Sequence, residues 1–404
     1  MKALTPLYLI AILLSQSCIK AEETELLSAE KQSVLHEQQN KYKAEHQKLR
    51  YNWISPLNLK GSYSYDKSAS GDYHSDLKTL SGSISQDIFR SGGIVYQIEY
   101  ADAKVQTETI ALHQQIATLN NQLFTALLNY RKKRYELEQS TKKIDNYDIE
   151  IFIKRHLFDA GKADITELNN ALMNKSVELK TSTTLRYEIS RQRLEIAKLS
   201  DIDPDTFVLP VFTLVKEEEF LKNHLDLRYA RSQNQTYESL YNVTQSSYLP
   251  SIAINGSAGY QEYDPKELPN GYSGNFYSAG VSITLPLTYN ASAAIQESKA
   301  AYLKQAAESA DIERTTKASY AQSLELIESY RHYIAITRKN LSLYEDLITA
   351  TKAGYDAGTK TGYDFQTITN SKAIEEYTIK INEINIQLEL SKLHFAINAS
   401  KETL

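Results

Sequence analysis

The apolar and polar positions of this chain follow two different periods in separate stretches. Over much of its length apolar residues recur every three or four positions, as in Ile110, His113, Ile116, Leu119, Leu123, Ala126 and Leu127. That spacing predicts long helices with a packed seam. In four short stretches the period is two. Ile252, Ile254, Gly256, Ala258 and Tyr260 share one face, against Ser251, Ala253, Asn255, Ser257 and Gly259. Ala279, Val281, Ile283, Leu285 and Leu287 oppose Gly280, Ser282, Thr284 and Pro286. Leu57, Leu59, Tyr63 and Tyr65 oppose Asn58, Lys60, Ser62 and Ser64, and more weakly Leu80, Ile84 and Ile88 oppose Ser81, Ser83, Ser85 and Asp87. Strands are therefore expected near 57–66, 78–89, 251–261 and 278–288, joined by polar loops over 66–76 and 261–275.

The chain-breaking residues order these stretches into two copies of one unit. No proline falls in 57–203 or 287–404, and Gly161 is the only glycine between Ile94 and Ser200. Helices are expected near 94–157 and 291–352, with returning helices near 164–199 and 364–399. Shorter helices near 23–52 and 216–247 lead into the strands. The long pair spans roughly 95 Å each at the usual helical rise. Four motifs repeat in order. Pro56–Tyr65 matches Pro250–Tyr260, and Ser81–Ser85 matches Gly280–Thr284. Phe158-Asp159-Ala160-Gly161 matches Tyr355-Asp356-Ala357-Gly358, and Asp164-Ile165-Thr166 matches Asp364-Phe365-Gln366; the offsets are 195, 199, 197 and 200. The units are expected over 22–210 and 211–404. Because Gly161 to Asp164 is shorter than Gly358 to Asp364, the two hairpin tips are expected to differ in length.

Composition narrows the class. Of 404 residues 24% are charged and the net charge is −5, which gives no reason to expect nucleic acid as a partner. Lys2 and the apolar residues 3–14 read as a secretory signal, too short to span a bilayer, removed after Ser17 or Ala21. Cys18, the only cysteine, is a possible lipidation site, although Ser15-Gln16-Ser17 fits a lipobox poorly and cleavage after Ala21 would discard it. The eight histidines are scattered without metal-ligand spacing, and there is no Walker loop or Gly-x-Ser-x-Gly. Gly92-Gly93 lacks a phosphate-loop lysine and reads as a strand-to-helix bend. No catalytic site, metal or cofactor is expected.

Strands of about ten residues with one apolar and one small polar face suit a transmembrane barrel with a wet lumen. Four strands cannot close one, and an open edge is not stable in lipid. Copies would have to pool their strands, and three would supply twelve. A soluble sandwich shows similar alternation, and a periplasmic coiled-coil adaptor or structural protein remains the alternative.

With the duplicated helix–strand–strand–helix plan, the Tyr248-Leu249-Pro250 run into a strand, and the tip motif Tyr355-Asp356-Ala357-Gly358-Thr359-Lys360-Thr361-Gly362-Tyr363-Asp364, the chain resembles the outer membrane efflux protein (TolC-like) family over nearly its whole mature length. The resemblance implies a mainly α fold with a β-barrel portion: a trimer with a helical-hairpin tunnel in the periplasm and a twelve-stranded barrel in the outer membrane. It implies a passive exit duct of a tripartite efflux or type I secretion system, working with a periplasmic adaptor (membrane fusion) protein and an inner-membrane transporter. By motif position the aperture residues would be Tyr355, Lys360 and Asp364. Thr367 stands where the family often has a second acid, so one carboxylate per chain is left to form a cation-selecting ring. Asp364 could equally cap the returning helix. Adaptor docking would fall on the tips, at Phe158, Gly161, Lys162, Tyr355 and Gly358, although those glycines could serve only the turn's backbone angles.

Overall fold

The structure, a computed structural model, describes residues 25–67, 74–266 and 270–398. The leader, Cys18 and both hairpin loop centres lie outside them. The elements run α1 (Ala29–Arg50), β1 (Asn58–Lys67), β2 (His74–Phe89), α2 (Gly93–Asp159), α3 (Ile165–Ala197), α4 (Glu217–Asn223), α5 (Leu225–Ser246), β3 (Ser251–Pro265), β4 (Tyr272–Thr284), α6 (Ala291–Asp356) and α7 (Gly362–Phe395). The chain is thus mainly helical with one small antiparallel sheet. Among the described residues, no helix is long and apolar enough to cross a membrane.

The long helices α2 and α6 hold 67 and 66 residues. The element order is the one read from the breakers, with two corrections. The helix expected over 216–247 is broken at His224, whose ψ of 122° takes the chain out of helical geometry. The first leading helix starts only at Ala29, after a turn.

Residues fall into two compact units. One comprises the described residues up to Glu37, Leu112–Leu225 and the described residues from Thr316 on. Its core is built around the middle of α2, where Leu123, Phe124, Leu127, Leu128 and Tyr130 are all buried. Phe124 meets Phe212 edge-on at 5.4 Å and stacks on Phe395 at 5.3 Å. The seam read at 110–127 is therefore part of something wider, since Leu112, Ala117 and Phe124 lie off that stripe and are buried too. The segment joining the repeats closes this core. Asp205 accepts hydrogen bonds from Tyr130 and Arg134 at 2.8 and 2.6 Å and from Arg193, and Arg131 donates to the Phe207 carbonyl at 2.7 Å.

Duplication is visible in this unit as a repeated bond. The Ser28 N–H donates to the Leu199 carbonyl at 2.9 Å, joining the start of the first leading helix to the end of its returning helix. The Leu225 N–H donates to the Ala396 carbonyl at 2.9 Å, the same bond 197 positions later.

The other unit, Gln38–Ala111 and Asp226–Thr315, contains the sheet. Its order is β1-β2-β3-β4, antiparallel throughout. Register confirms the two faces. Leu59 pairs with Gly82, Gly82 with Ala258 and Ala258 with Tyr277, while Ile254 pairs with Val281 and Ile252 with Ile283. The apolar face is bare: Leu59 is 79% exposed, Tyr277 90% and Ile283 74%. The strands run further into the polar loops than expected, to Lys67 and His74 and to Pro265 and Tyr272. At the other end β4 stops at Thr284, short of the expected 288, because Pro286 has no N–H to give the ladder. A bulge sets Ile88 and Phe89 together against Ile252. The chain then bends into α2 through Ser91 and Gly92, both at positive φ (50° and 87°), with the Ser91 hydroxyl donating to the Pro250 carbonyl at 2.7 Å. His46 and Arg50 both bond Asp102, at 2.7 and 3.0 Å, holding α1 on α2.

Candidate functional site: the hairpin tips

Both long helices end in the same way. Gly161 and Gly358 adopt positive φ, 68° and 73°. Lys162 N–H donates to the Leu157 carbonyl and Gly161 N–H to the Phe158 carbonyl, each at 2.8 Å. Thr359 N–H donates to Gly354 and Gly358 N–H to Tyr355, at 2.8 and 2.9 Å. These are paired Schellman caps, which satisfy the last carbonyls and need glycine at the left-handed position. The following N-cap stands three positions beyond each glycine, Asp164 in one tip and Thr361 in the other. The expectation of unequal tips is thereby corrected. Asp164 is equivalent to Thr361, and the equivalent of Asp364 is Glu167, three residues into the helix. Matching Asp164 to Asp364 by residue type had shifted the alignment by three.

Asp364 does cap the returning helix. Its Oδ2 accepts from the Thr361 N–H and hydroxyl, both at 2.8 Å, and its own N–H donates to Thr361 Oγ1 at 3.2 Å, completing a capping box. The Thr361 N–H and hydroxyl, with Lys360 nearby, hold its carboxyl below the ordinary range, so it keeps its charge. Asp164 is lowered likewise by the N–H and hydroxyl of Thr166.

Equivalent positions expose one difference between the hairpins. Lys175 pairs with Asp148 across the first, and Lys372 with Glu345 at 3.3 Å across the second, again 197 positions apart. In the first hairpin Glu167 also reaches Lys154 on the long helix. In the second these two positions hold Asp364 and Thr351, and Thr351 is buried and carries no charge. The acid of the second tip is thus turned back on its own N-cap.

Lys360, Asp364 and Thr367 line one groove between α2 and α7, facing Lys143, Asn146 and Glu150. Asn146 donates to the Thr367 carbonyl and Ser371 hydroxyl at 3.4 Å and accepts from Asn370 at 2.9 Å. Tyr355 lies outside the groove, 54% exposed, with its ring 3.7 Å from where a Cβ on Gly362 would stand. Phe158 is exposed at the other tip. Sequence reasoning missed Phe152 and Tyr363, whose rings meet at 4.9 Å and tie the two tips together. Tyr363 lay within the quoted tip motif, but nothing local marked Phe152. Among the described residues no cluster of His, Cys, Asp or Glu could hold a metal.

Residues 218–372 match the family model described as outer membrane efflux protein. None of the curated proteins matches the chain. Among solved structures, the outer membrane protein VceC of Vibrio cholerae is similar with a TM-score of 0.72 at 14% identity, over 93% of this chain and 94% of that one. The Campylobacter jejuni CmeC outer membrane channel gives 0.71 at 13% identity, over 95% and 86%. The open-state Neisseria gonorrhoeae MtrE outer membrane channel gives 0.70 at 17%, over 93% and 87%. At these identities the likeness is one of fold. It extends over nearly the whole length on both sides.

Proposed function

We propose that this chain, with the fold of the outer membrane efflux channels and that family's signature over its second half, is one protomer of a passive exit duct in the outer membrane and not an enzyme. One observation carries the reading: a four-stranded antiparallel sheet with two open edges and a bare apolar face, in a chain with no spanning helix among its described residues. Such a face belongs against lipid, and such edges must be paired there, because no water is available to satisfy them. Three copies pairing β1 of one with β4 of the next give twelve strands, within the known range of closed barrels. The helical hairpins then lie in the periplasm, with their tips toward an adaptor protein and an inner-membrane transporter that supplies the energy. Phe158, Gly161, Lys162, Tyr355 and Gly358 form the docking edge. Lys360, Asp364 and Thr367, with Tyr355 beside them, line the aperture. Asp364 is both a cap and a charge, since capping keeps it ionised.

The test is to express the full chain in a Gram-negative host, extract the outer membrane in mild detergent and weigh the particle by native mass spectrometry. Three copies, each lacking the first 17 or 21 residues, are expected. A monomer in the soluble periplasmic fraction would sink the reading.

A further inference from the structure

The polar face of the sheet is almost without charge. On β2, β3 and β4 it is built mainly from serine, threonine, asparagine, glutamine and glycine. These groups bond one another across strands. Ser85 donates to Asn255 at 2.6 Å, Asn255 to Ser282 at 2.9 Å, and Ser257 and Ser278 share a bond of 2.8 Å. The charged side chains on this face are three. Asp87 is held by Arg90 at 2.5 Å. Asp66 lies at the outer end of β1. Lys60 stands alone within the face, exposed, opposite Ser81. Among the described residues no carboxylate pairs with it.

Asp66 is six residues further along β1, and Asp87 is six beyond Ser81 in the other direction, so each lies roughly 20 Å away. That is over twice the screening length of about 8 Å at physiological salt.

We propose that Lys60 sets the charge preference of the barrel lumen and favours anionic solutes there. The proposal rests on the barrel reading above. A twelve-stranded barrel with strands about 4.8 Å apart and tilted about 40° has a radius of roughly 12 Å. Three Lys60 side chains reaching inward bring their ammonium groups to about 7 Å from the axis. The axis of the lumen at that level is then within a screening length, about 8 Å, of all three positive charges. Coulomb's law in water, screened by salt, gives on the order of threefold enrichment of a monovalent anion and threefold depletion of a monovalent cation. The effect grows by that factor with each further unit of charge. A ring of Asp364 at the periplasmic tips would favour the opposite sign. The two collars therefore select in opposite senses.

The experiment is planar-bilayer recording of the purified full chain, with the trivalent anion hexacyanoferrate(III) added on the barrel side. The variants are Lys60→Gln and Lys60→Arg, and reversal potentials in a potassium chloride gradient are compared in an Asp364→Asn background. Hexacyanoferrate is expected to block the wild type and Lys60→Arg. In Lys60→Gln the block should weaken by tenfold or more, and the reversal potential should move toward potassium. Equal block and equal reversal potential in Lys60→Gln and wild type would overturn the proposal while leaving the duct intact. Absence of conductance in every variant would overturn the duct reading itself, and this proposal with it.

Discussion

At the residue scale the tips are governed by backbone needs, and charge is layered onto them. Gly358 has open space where a Cβ would be, but its φ is positive. Gly358→Ala should therefore cost about 1–2 kcal/mol through backbone strain alone. Hydrogen exchange should report faster opening of that turn, with the barrel amides unchanged. Asp364 adds a pH dependence of known sign. Its carboxyl is lowered in the fold, so the stability it contributes is present above the unfolded value of about 4 and is lost as pH falls through the folded one. Protection of the first turn of α7 should drop in that acid window. Asp364→Asn keeps the acceptor and removes the charge, so it should abolish the acid dependence; an unchanged pH profile would refute the assignment. These residues were legible in sequence as a motif, and the cap at Asp364 and the backbone role of the glycines were among the readings it offered; the position of Asp364 within the cap was not. Whether an aspartate is an N-cap or lies three residues inside depends on which N–H it faces, and matching letters between repeats misplaced it.

At the element scale the sequence was most informative where one period runs long. Helix and strand order followed from the breakers and from period-two alternation, because both reflect which face is buried or bare. The break at His224, the bulge at Ile88 and the aromatic cluster of Phe124, Phe212 and Phe395 were not legible. Each depends on contacts between segments far apart in the chain. Phe124→Ala should cost about 3–5 kcal/mol, the range for emptying a fully buried aromatic site, read as a fall in the denaturant midpoint. The strands pack just as closely at one point. A Cβ on Gly259 would stand 2.3 Å from the Leu80 carbonyl oxygen and 2.8 Å from the Phe276 ring. Gly259→Ala should push β3 off β2 and reduce the yield of assembled, heat-modifiable protein, with a smaller effect on secondary structure by circular dichroism.

At the scale of the whole molecule the two outer strands make the sharpest demand. Within one protomer β1 and β4 are three strand spacings apart, roughly 14 Å, well beyond the reach of a disulfide. Cysteines scanned along 58–64 paired with cysteines along 278–284 should therefore link only between copies, giving covalent ladders up to three on a denaturing gel. Links confined to single chains would contradict the pooling of strands. The chain's one native cysteine, Cys18, precedes all of these positions and is replaced by serine beforehand.

The repeated closure of Ser28 on Leu199 and of Leu225 on Ala396 means that both halves of the polypeptide end on the same bond. In the proposed trimer three chains would amount to six halves of one plan, and a ring of six half-length chains would repeat the same bonds. Two halves in one chain can differ at equivalent positions. Lys154 faces Glu167 in one half, and in the other Thr351 leaves Asp364 to its own cap. A ring of six identical halves could not carry that alternation: all six of its acids would be tied to a lysine, or none would.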